Sequence, residues 1–157
     1  MAVSGLVRIV PTDDDMREIT LHCECNGLKK PLTQCGKKQL GNYGEDLACL
    51  FLESKGLEIL ERNWRCSYGE VDIIAETDGM LALVEVKTRI ADPDDVQINP
   101  ELAVTFRKQN RYRKLALMYL SRQTKYDTVR FDVVSVKLTG ECDARLRHYP
   151  CAYEWDE

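Results

Sequence analysis

Residues 69–89 read GEVDIIAETDGMLALVEVKTR, and this stretch decides the fold. Two apolar runs flank Asp78-Gly79, and an Asp-Gly pair between alternating apolar segments predicts a β-hairpin. The expected type I′ turn needs positive φ at both central residues, which aspartate and glycine tolerate. A loop of these two residues pairs Thr77 with Met80 and thereby fixes the register of both strands.

The predicted register gathers charged residues on one face of the hairpin. Asp72 faces Glu85 and Glu70 faces Lys87, and side chains alternate with period 2, so all four project from the same face. Like charges placed directly opposite destabilise a strand pair. Mg²⁺ or Mn²⁺ would compensate for the two facing acids, because Mg²⁺ takes one or two protein carboxylates and leaves its other positions to water and phosphate. Lys87 would add positive charge beside the metal.

A solvated sheet face is the alternative interpretation of these residues. Glu70 and Lys87 would then form an ordinary cross-strand ion pair, with Asp72 and Glu85 in water. The near-continuous apolar residues around them favour the metal site. A different loop length would change the register and spoil the pairing.

The composition indicates a soluble globular protein. The chain has 157 residues, of which 44% are hydrophobic and 31% charged, enough for one domain with an ordinary core. No apolar run approaches the roughly 18 residues of a membrane span, and the first residues lack the basic and apolar regions of a signal peptide. Seven cysteines without a repeating framework favour reduced thiols. We therefore expect a cytoplasmic protein without a membrane partner.

Charge is distributed unevenly along the chain. The formal net charge is −4, which by itself argues against nucleic-acid binding. However, residues 71–100 carry seven acids and two bases, whereas residues 101–130 carry eight bases and two acids. Phosphate binding depends on a local basic face whatever the total charge, so nucleic acid remains a candidate partner.

The sequence divides into three parts. Residues 1–36 form an N-terminal extension of unclear structure, in which residues 6–10 resemble a short strand; residues 37–140 form the main domain, and residues 141–157 form a polar tail of no clear type. Reduced cysteines are expected in the extension, with a zinc site as the alternative. Paired zinc cysteines usually have two to four residues between them, whereas Cys23 and Cys25 have one. The candidate zinc ligands are His22, Cys23, Cys25 and Cys35.

A first helix is predicted from Leu40 onward. Its apolar residues recur at helical spacing and face a core, and Gly56 stops it. Asn42 and Glu45 fit a capping arrangement at a helix start, so a structural role and an active-site role are equal alternatives for Glu45. The apolar stripe consists of Tyr43, Leu47, Leu50 and Phe51.

A second helix is predicted after a polar loop around residues 92–95. Asn99-Pro100-Glu101 supplies an N-cap, an N1 proline and a first-turn acid. One side of this helix is either a solvated charged face or a surface that follows a phosphate backbone. This basic ridge consists of Arg107, Lys108, Arg111 and Lys114. The side predicted to be buried comprises Leu102, Phe106, Tyr112, Leu115, Ala116, Tyr119 and Leu120.

Further strands are predicted at residues 57–61 and 128–138. The first alternates between apolar and polar residues, and the second is rich in β-branched residues. The order helix, strand, hairpin, helix, strand indicates an α/β fold with a mixed sheet.

Together these motifs resemble the YraN-like family of uncharacterised bacterial proteins. The shared features are a helix with Glu45, then GEVDIIA, VEVKTR, a basic helix and RFDVV, which cover residues 40–138. That family is similar to the PD-(D/E)XK superfamily. The resemblance implies a restriction-endonuclease-like, Holliday-junction-resolvase-like fold for residues 37–140, with a three-layer core of mixed sheet flanked by helices. Val71 replaces the proline of the superfamily name, a common variation.

The resemblance also implies a metal-dependent nuclease site. Lys87 would position or activate the attacking water and offset charge on the phosphate. The implied metal ligands are Asp72, Glu85, Glu45 and the carbonyl of Val86, while Glu70 and Lys108 match an acid and a base of less defined role.

We therefore expect an endonuclease that hydrolyses phosphodiester bonds with Mg²⁺ or Mn²⁺, in DNA more than in RNA. The sequence shows no stacked aromatic platform or recognition helix, so branched or damaged structures are the expected substrates. A nucleic-acid-binding or scaffold protein that does not cleave is the alternative, and a regulatory module built on the cysteines of residues 20–36 is a weaker one. The sequence leaves a homodimer open.

Overall fold

Seven strands and two α-helices make up most of what the computed structural model describes, namely residues 7–11, 17–23, 32–91, 105–139 and 143–153. The helices are α1 (Lys37–Ser54) and α2 (Phe106–Leu120), and Leu32–Gln34 forms a short 3₁₀ helix. The strands are β1 (Val7–Pro11), β2 (Glu18–Cys23), β3 (Glu58–Cys66), β4 (Gly69–Thr77), β5 (Met80–Ile90), β6 (Val129–Thr139) and β7 (Asp143–Tyr153). They form one sheet in the order β1-β2-β7-β6-β5-β4-β3.

The predicted hairpin is confirmed, including its turn and its register. Thr77 pairs with Met80, and β4 and β5 are antiparallel. Asp78 and Gly79 have φ values of 50° and 78°, the two positive values that a type I′ turn requires. The local sequence therefore fixed which residues of the two strands lie side by side.

β5 and β6 run parallel, which makes the sheet mixed. The Leu81 N–H donates to the Thr128 carbonyl, and the Ala91 N–H donates to the Leu138 carbonyl. Both bonds join residues 47 positions apart, and a constant offset is the register of parallel strands. α2 belongs to the long connection that parallel neighbours need. The mixed sheet with two helices is the predicted α/β fold class and is consistent with a restriction-endonuclease-like core.

β2 and β7 were not predicted from the sequence. β2 pairs antiparallel with β1 on one side and with β7 on the other. β7 occupies Asp143–Tyr153, where the sequence showed only a polar tail. A strand of alternating exposure that pairs with residues more than a hundred positions away leaves a weak local signal. Its place in the sheet was therefore decided by distant partners.

Contacts divide the chain into two compact units. The first comprises Met1–Phe51, Val86–Ile98 and Val134–His148, and the second comprises Leu52–Glu85, Asn99–Val133 and Tyr149–Glu157. Within the first unit, the ring of Phe51 meets the ring of the buried His148 edge-on, with centroids 6.3 Å apart. Its fully buried side chains include Ile19, Leu21, Leu47, Ala48, Phe51, Val134 and Leu146.

In the second unit, α2 packs against residues of β3, β4 and β5. The Tyr119 ring meets Trp64 of β3 edge-on with centroids 5.3 Å apart. The predicted buried side of α2 is confirmed at four positions, and Leu120, also predicted to be buried, is half-buried. The four buried residues are Tyr112, Leu115, Ala116 and Tyr119. They share a core with Trp64, Val71, Ile74, Leu81, Leu83, Tyr126 and Phe131.

The start of α2 differs from the prediction. Thr105 caps the helix, and its hydroxyl accepts a hydrogen bond of 3.4 Å from the Lys108 N–H. Phe106, which was predicted to be buried, is 71% exposed. It lies nine residues before Leu115, about 2.5 helical turns, and therefore on the opposite side of the helix. The predicted opening at residues 99–101, and Leu102, lie outside the described residues.

α1 begins at Lys37, earlier than predicted. Asn42 and Glu45 consequently lie inside the helix, and the capping interpretation of Glu45 is wrong. The end of the helix is as predicted, since Gly56 has a φ of 89° and the two backbone hydrogen bonds of a Schellman motif surround it.

The turn end of the hairpin is held by the segment that precedes β6. The Glu76 carboxylate accepts hydrogen bonds from the Tyr126 hydroxyl and, at 3.0 Å, from the Lys125 ammonium. These bonds, that from Tyr126 first, lower the pKa of Glu76. The carboxylate is therefore ionised at neutral pH and keeps both donors.

Candidate functional site

The hairpin brings Asp72 and Glu85 to neighbouring positions. Ile73 pairs with Val84, so Asp72 and Glu85 are the next residues along two adjacent antiparallel strands. Glu85 is buried, with 8% of its surface exposed, and Asp72 is half-buried. Burial of a carboxylate is costly unless a cation or hydrogen-bond donors compensate. The two central predicted ligands thus follow directly on the last pair of the hairpin.

The chemistry of these donors fits Mg²⁺. Mg²⁺ binds oxygen, accepts one or two protein carboxylates and keeps water in its other positions. Asp72 and Glu85 supply two carboxylates, and the backbone carbonyl of Val86 follows directly in β5. In the described ranges, no group of three or more His, Cys, Asp or Glu side chains is placed to hold a metal ion. A site here would consequently rely on water or phosphate oxygens for its remaining positions.

Glu70 has a partner that the sequence did not reveal. It pairs with Arg65 across β3 and β4, and a guanidinium nitrogen of Arg65 lies 3.2 Å from its carboxylate. The Arg65 side chain is 76% exposed, so this ion pair adds little stability. Glu70 therefore has a surface role on β3 and β4, and its pairing with Lys87 stays a prediction from the sequence.

Asn63 of β3 has an irregular backbone conformation beside Asp72. Arg62 pairs with Ile73 and Trp64 pairs with Val71, which places Asn63 opposite Asp72. Asn63 has a φ of 50°, an uncommon left-handed conformation that asparagine tolerates better than most residues.

Two residues of β3, one on each side of Asn63, contact Tyr119 of α2. The Tyr119 hydroxyl donates to Glu61 at 3.3 Å, and the Tyr119 ring also contacts Trp64. Residues three apart in a regular strand point to opposite faces, and Asn63, which lies between Glu61 and Trp64, has the irregular conformation. Such irregularities in strands often lie next to functional sites, where they redirect a side chain.

In the other unit, α1 approaches β5 closely at Thr88, the residue after Lys87. Gly44 of α1 is buried, and a Cβ atom added to it would lie 1.8 Å from the Thr88 hydroxyl oxygen and 2.8 Å from the Thr88 Cβ. Only glycine permits this approach. Glu45, the next residue of α1, is half-buried, as is Lys87. The close approach thus brings the turn of α1 that carries Glu45 onto the stretch of β5 that carries Lys87.

The basic ridge lines a surface cleft in the second unit. The cleft has a volume of about 670 Å³ and is formed by the β3–β4 turn and the start of α2. Among the residues that the structure describes, none of the four ridge cations has a carboxylate within ion-pairing distance. The cleft is lined by Ser67, Tyr68, Phe106, Arg107, Lys108, Asn110, Arg111 and Lys114.

The candidate zinc residues find other roles where the structure describes them. A ring nitrogen of His22 lies 2.8 Å from the Asp143 carboxylate of β7. Among the described residues, Cys35, Cys49, Cys66 and Cys151 are not joined in disulfide bonds, and Cys25 lies outside the described residues. The loop around residues 92–95 lies outside them as well.

Comparison with known proteins gives a consistent result. The model of the "Uncharacterised protein family UPF0102" matches residues 44–136. A UPF0102 protein of Nocardia farcinica is 49% identical over 110 residues, which cover 69% of this chain and 84% of that protein. A UPF0102 protein of Thermodesulfovibrio yellowstonii is 40% identical over 115 residues, covering 73% of this chain and 96% of that protein. A Geobacter metallireducens relative is 42% identical over 118 residues, 74% of this chain and 93% of its own length.

No helix within the described ranges is both long and apolar enough to span a membrane. α2 carries five basic residues, and α1 is interrupted by charged side chains along its 18 residues.

Proposed function

We propose that this chain, which belongs to the uncharacterised protein family UPF0102 as its YraN-like motifs predicted, is a Mg²⁺-dependent endonuclease that hydrolyses phosphodiester bonds in DNA. One observation carries the proposal: the register of the hairpin sets the buried Glu85 beside Asp72 on adjacent strands. Two acids in that position are stable with an oxygen-seeking cation between them.

In the proposed site, the carboxylates bind the metal and Lys87 acts on the attacking water and the phosphate. Asp72 and Glu85 would hold the metal, with the carbonyl of Val86 next to Glu85 in β5; a ligand role for Glu45 stays a prediction from the family resemblance. A metal bound there would polarise a phosphoryl oxygen and lower the pKa of a water. Lys87 follows Glu85 by two residues in β5, so its side chain leaves the strand on the same side. Its ammonium positions the attacking water and offsets the negative charge that develops on the phosphate.

The basic ridge supports a nucleic-acid substrate. Its four cations hold phosphates through contacts that do not depend on base sequence. Selection would then rest on the structure of the nucleic acid, such as branches or damage. A cleavage screen with Mg²⁺ or Mn²⁺ on four-way junctions, flaps, duplexes and single strands of DNA and RNA tests this. Absence of turnover on every substrate would contradict the nuclease proposal.

Removing the two carboxylates should abolish stabilisation by metal. Mg²⁺ that binds only the folded protein raises both its unfolding free energy and its melting temperature. At a Mg²⁺ concentration 100 times the dissociation constant, the unfolding free energy rises by about 2.7 kcal/mol. In a double variant Asp72→Asn, Glu85→Gln we expect no such increase, and greater stability than wild type without metal. Calorimetric titration and thermal melts measure both effects.

The control for this experiment changes the charge by the same amount at exposed positions. Glu53→Gln with Glu58→Gln removes two acids that lie on the surface of α1 and β3, and should leave metal binding intact. Equal metal binding by the wild type and the Asp72, Glu85 double variant would refute the metal site.

A nucleic-acid-binding protein that does not cleave is the second candidate function. The observation that favours it is the cleft itself, whose four cations have no carboxylate partner among the described residues. Binding through this surface needs neither the metal nor Lys87.

Both candidate functions require the basic ridge to contact phosphates. Arg107→Ala with Arg111→Ala should weaken binding to duplexes of any sequence to a similar extent. The salt dependence of log K should flatten by about 0.9 for each lost phosphate contact. Fluorescence anisotropy at several salt concentrations measures the slope, and Lys37→Ala with Lys38→Ala, both exposed on α1, is the matched control. If the slope of the ridge variant equals that of wild type, the ridge is a solvated face.

A further inference from the structure

Two exposed aromatic side chains lie in the basic cleft. Within the described part of the chain, four large hydrophobic side chains are exposed, and the two aromatic ones, Tyr68 and Phe106, both line this cleft. We infer that the cleft binds an unpaired nucleotide of single-stranded nucleic acid, with Tyr68 and Phe106 as the surfaces on which bases stack. The inference rests on the proposed function and names the substrate class that the same surface selects.

Tyr68 is presented by a tight turn. Its N–H donates to the Cys66 sulfur at 3.4 Å, and Gly69 follows with a φ of 135°, a conformation that glycine adopts readily and other residues rarely do. The ammonium of Lys114 lies over the Tyr68 ring, 5.4 Å from its centroid. Lys114 thus lies against one face of a ring that is 45% exposed. A cation in this position also strengthens stacking on the ring.

Phe106 stands at the first position of α2. Its side chain is 71% exposed, although burial of a phenylalanine side chain is worth about 1.5–3 kcal/mol. The N-terminal turn of a helix carries partial positive charge and unsatisfied N–H groups, which favour phosphate. An aromatic ring at this place puts a stacking surface directly beside a preferred position for phosphate.

The charge of the cleft matches a strand of nucleic acid. Arg111 lies across the β3–β4 turn, where its Cδ atom would be 3.6 Å from a Cβ atom added to Gly69. Together with the other three ridge cations it surrounds the two rings. Aromatic surfaces interleaved with cations are how proteins hold single strands without reading sequence. The cleft volume of about 670 Å³ falls within the range of ligand pockets, roughly 300–1,000 Å³.

An unpaired strand fits better than a duplex because of where its bases are. In a duplex each base is stacked on its neighbours, so a protein ring reaches its face only after the nucleotide is flipped out. In a flap, a gap or a single strand the faces are already accessible.

Binding in EDTA tests this inference separately from cleavage. The probes are a fluorescein-labelled oligo(dT) and a duplex of equal length, measured by anisotropy at several salt concentrations. Tyr68→Ala with Phe106→Ala should weaken binding of the single strand about tenfold or more, leave its salt slope unchanged, and affect the duplex little. Tyr68→Phe with Phe106→Tyr should retain the affinity.

A matched control and a spectroscopic signal complete the test. Leu117→Ala removes another exposed apolar residue of α2, 57% exposed and outside the cleft, and should bind like wild type. A 2-aminopurine in the oligonucleotide should lose fluorescence on binding wild type, because it stacks, and not on binding the alanine variant. Phe106→Ala alone, at a site with few contacts to lose, keeps the test valid if the double variant does not fold.

Equal loss of affinity on single strand and duplex would overturn the inference, as would unchanged affinity of the alanine variant. Neither result would contradict the nuclease proposal, because this experiment measures binding without the metal that cleavage requires. Conversely, loss of stacking in a protein that never cleaves would support the inference and favour the second candidate function.

Discussion

Replacing Lys87 with alanine is expected to lower the rate of single-turnover cleavage by about 10²–10³-fold, the loss typical of removing one preorganised donor to a developing charge. A protonated lysine cannot be a metal ligand, so metal binding should remain. Affinity for nucleic acid should fall only by the loss of one contact. An interaction made in the transition state alone lowers the rate and not the affinity.

The measurement combines rate and affinity on the substrate that the wild type cleaves fastest in the screen. Lys38→Ala removes the same charge from an exposed position of α1 and should cleave at the wild-type rate. A protein that only binds nucleic acid would show a change in affinity alone and no turnover. A cleavage rate that survives Lys87→Ala would show that this face of the hairpin is not the active site.

The second large effect concerns the stability of α1. Gly44→Ala should destabilise the protein by about 1–3 kcal/mol, the range for overpacking a filled interior. The new Cβ would lie 2.8 Å from the Thr88 Cβ, and rotation of the threonine side chain cannot move that atom. α1 or β5 has to shift, so the positions of Glu45 and Lys87 should change with it. Urea denaturation measures the loss.

Gly41 in the same helix provides the control. A Cβ atom added there meets nothing within 4 Å, so Gly41→Ala should stabilise by about 0.5–1 kcal/mol through helix propensity. Adding Thr88→Ala to Gly44→Ala should recover part of the stability, and the double-mutant cycle gives the coupling between the two positions. Similar effects of the two glycine substitutions would mean that α1 does not approach β5 so closely.

The fold class and the central pair of carboxylates follow from local sequence. The Asp78-Gly79 turn sets a register that period-2 alternation carries to Asp72 and Glu85, and the structure has that register. The buried side of α2 follows from helical periodicity in the same way. Gly56 ends α1 because a left-handed residue is needed there.

Other parts of the site depend on distant neighbours and were missed. Glu45 fitted a cap because Asn42 precedes it, yet α1 starts earlier, at Lys37. Arg65 becomes the partner of Glu70 only when β3 extends to Cys66. Phe106 was predicted to lie on the buried side of α2, but its position in the helical repeat places it on the exposed side.

By itself, therefore, the sequence determined the hairpin and its register, because turn conformation and strand alternation act over a few residues. Only the tertiary structure decided that Gly44 meets Thr88 and that Tyr68 and Phe106 share a cleft with the basic ridge. These pairs are separated by about forty residues of sequence. Their proximity results from packing between elements, which no local pattern encodes.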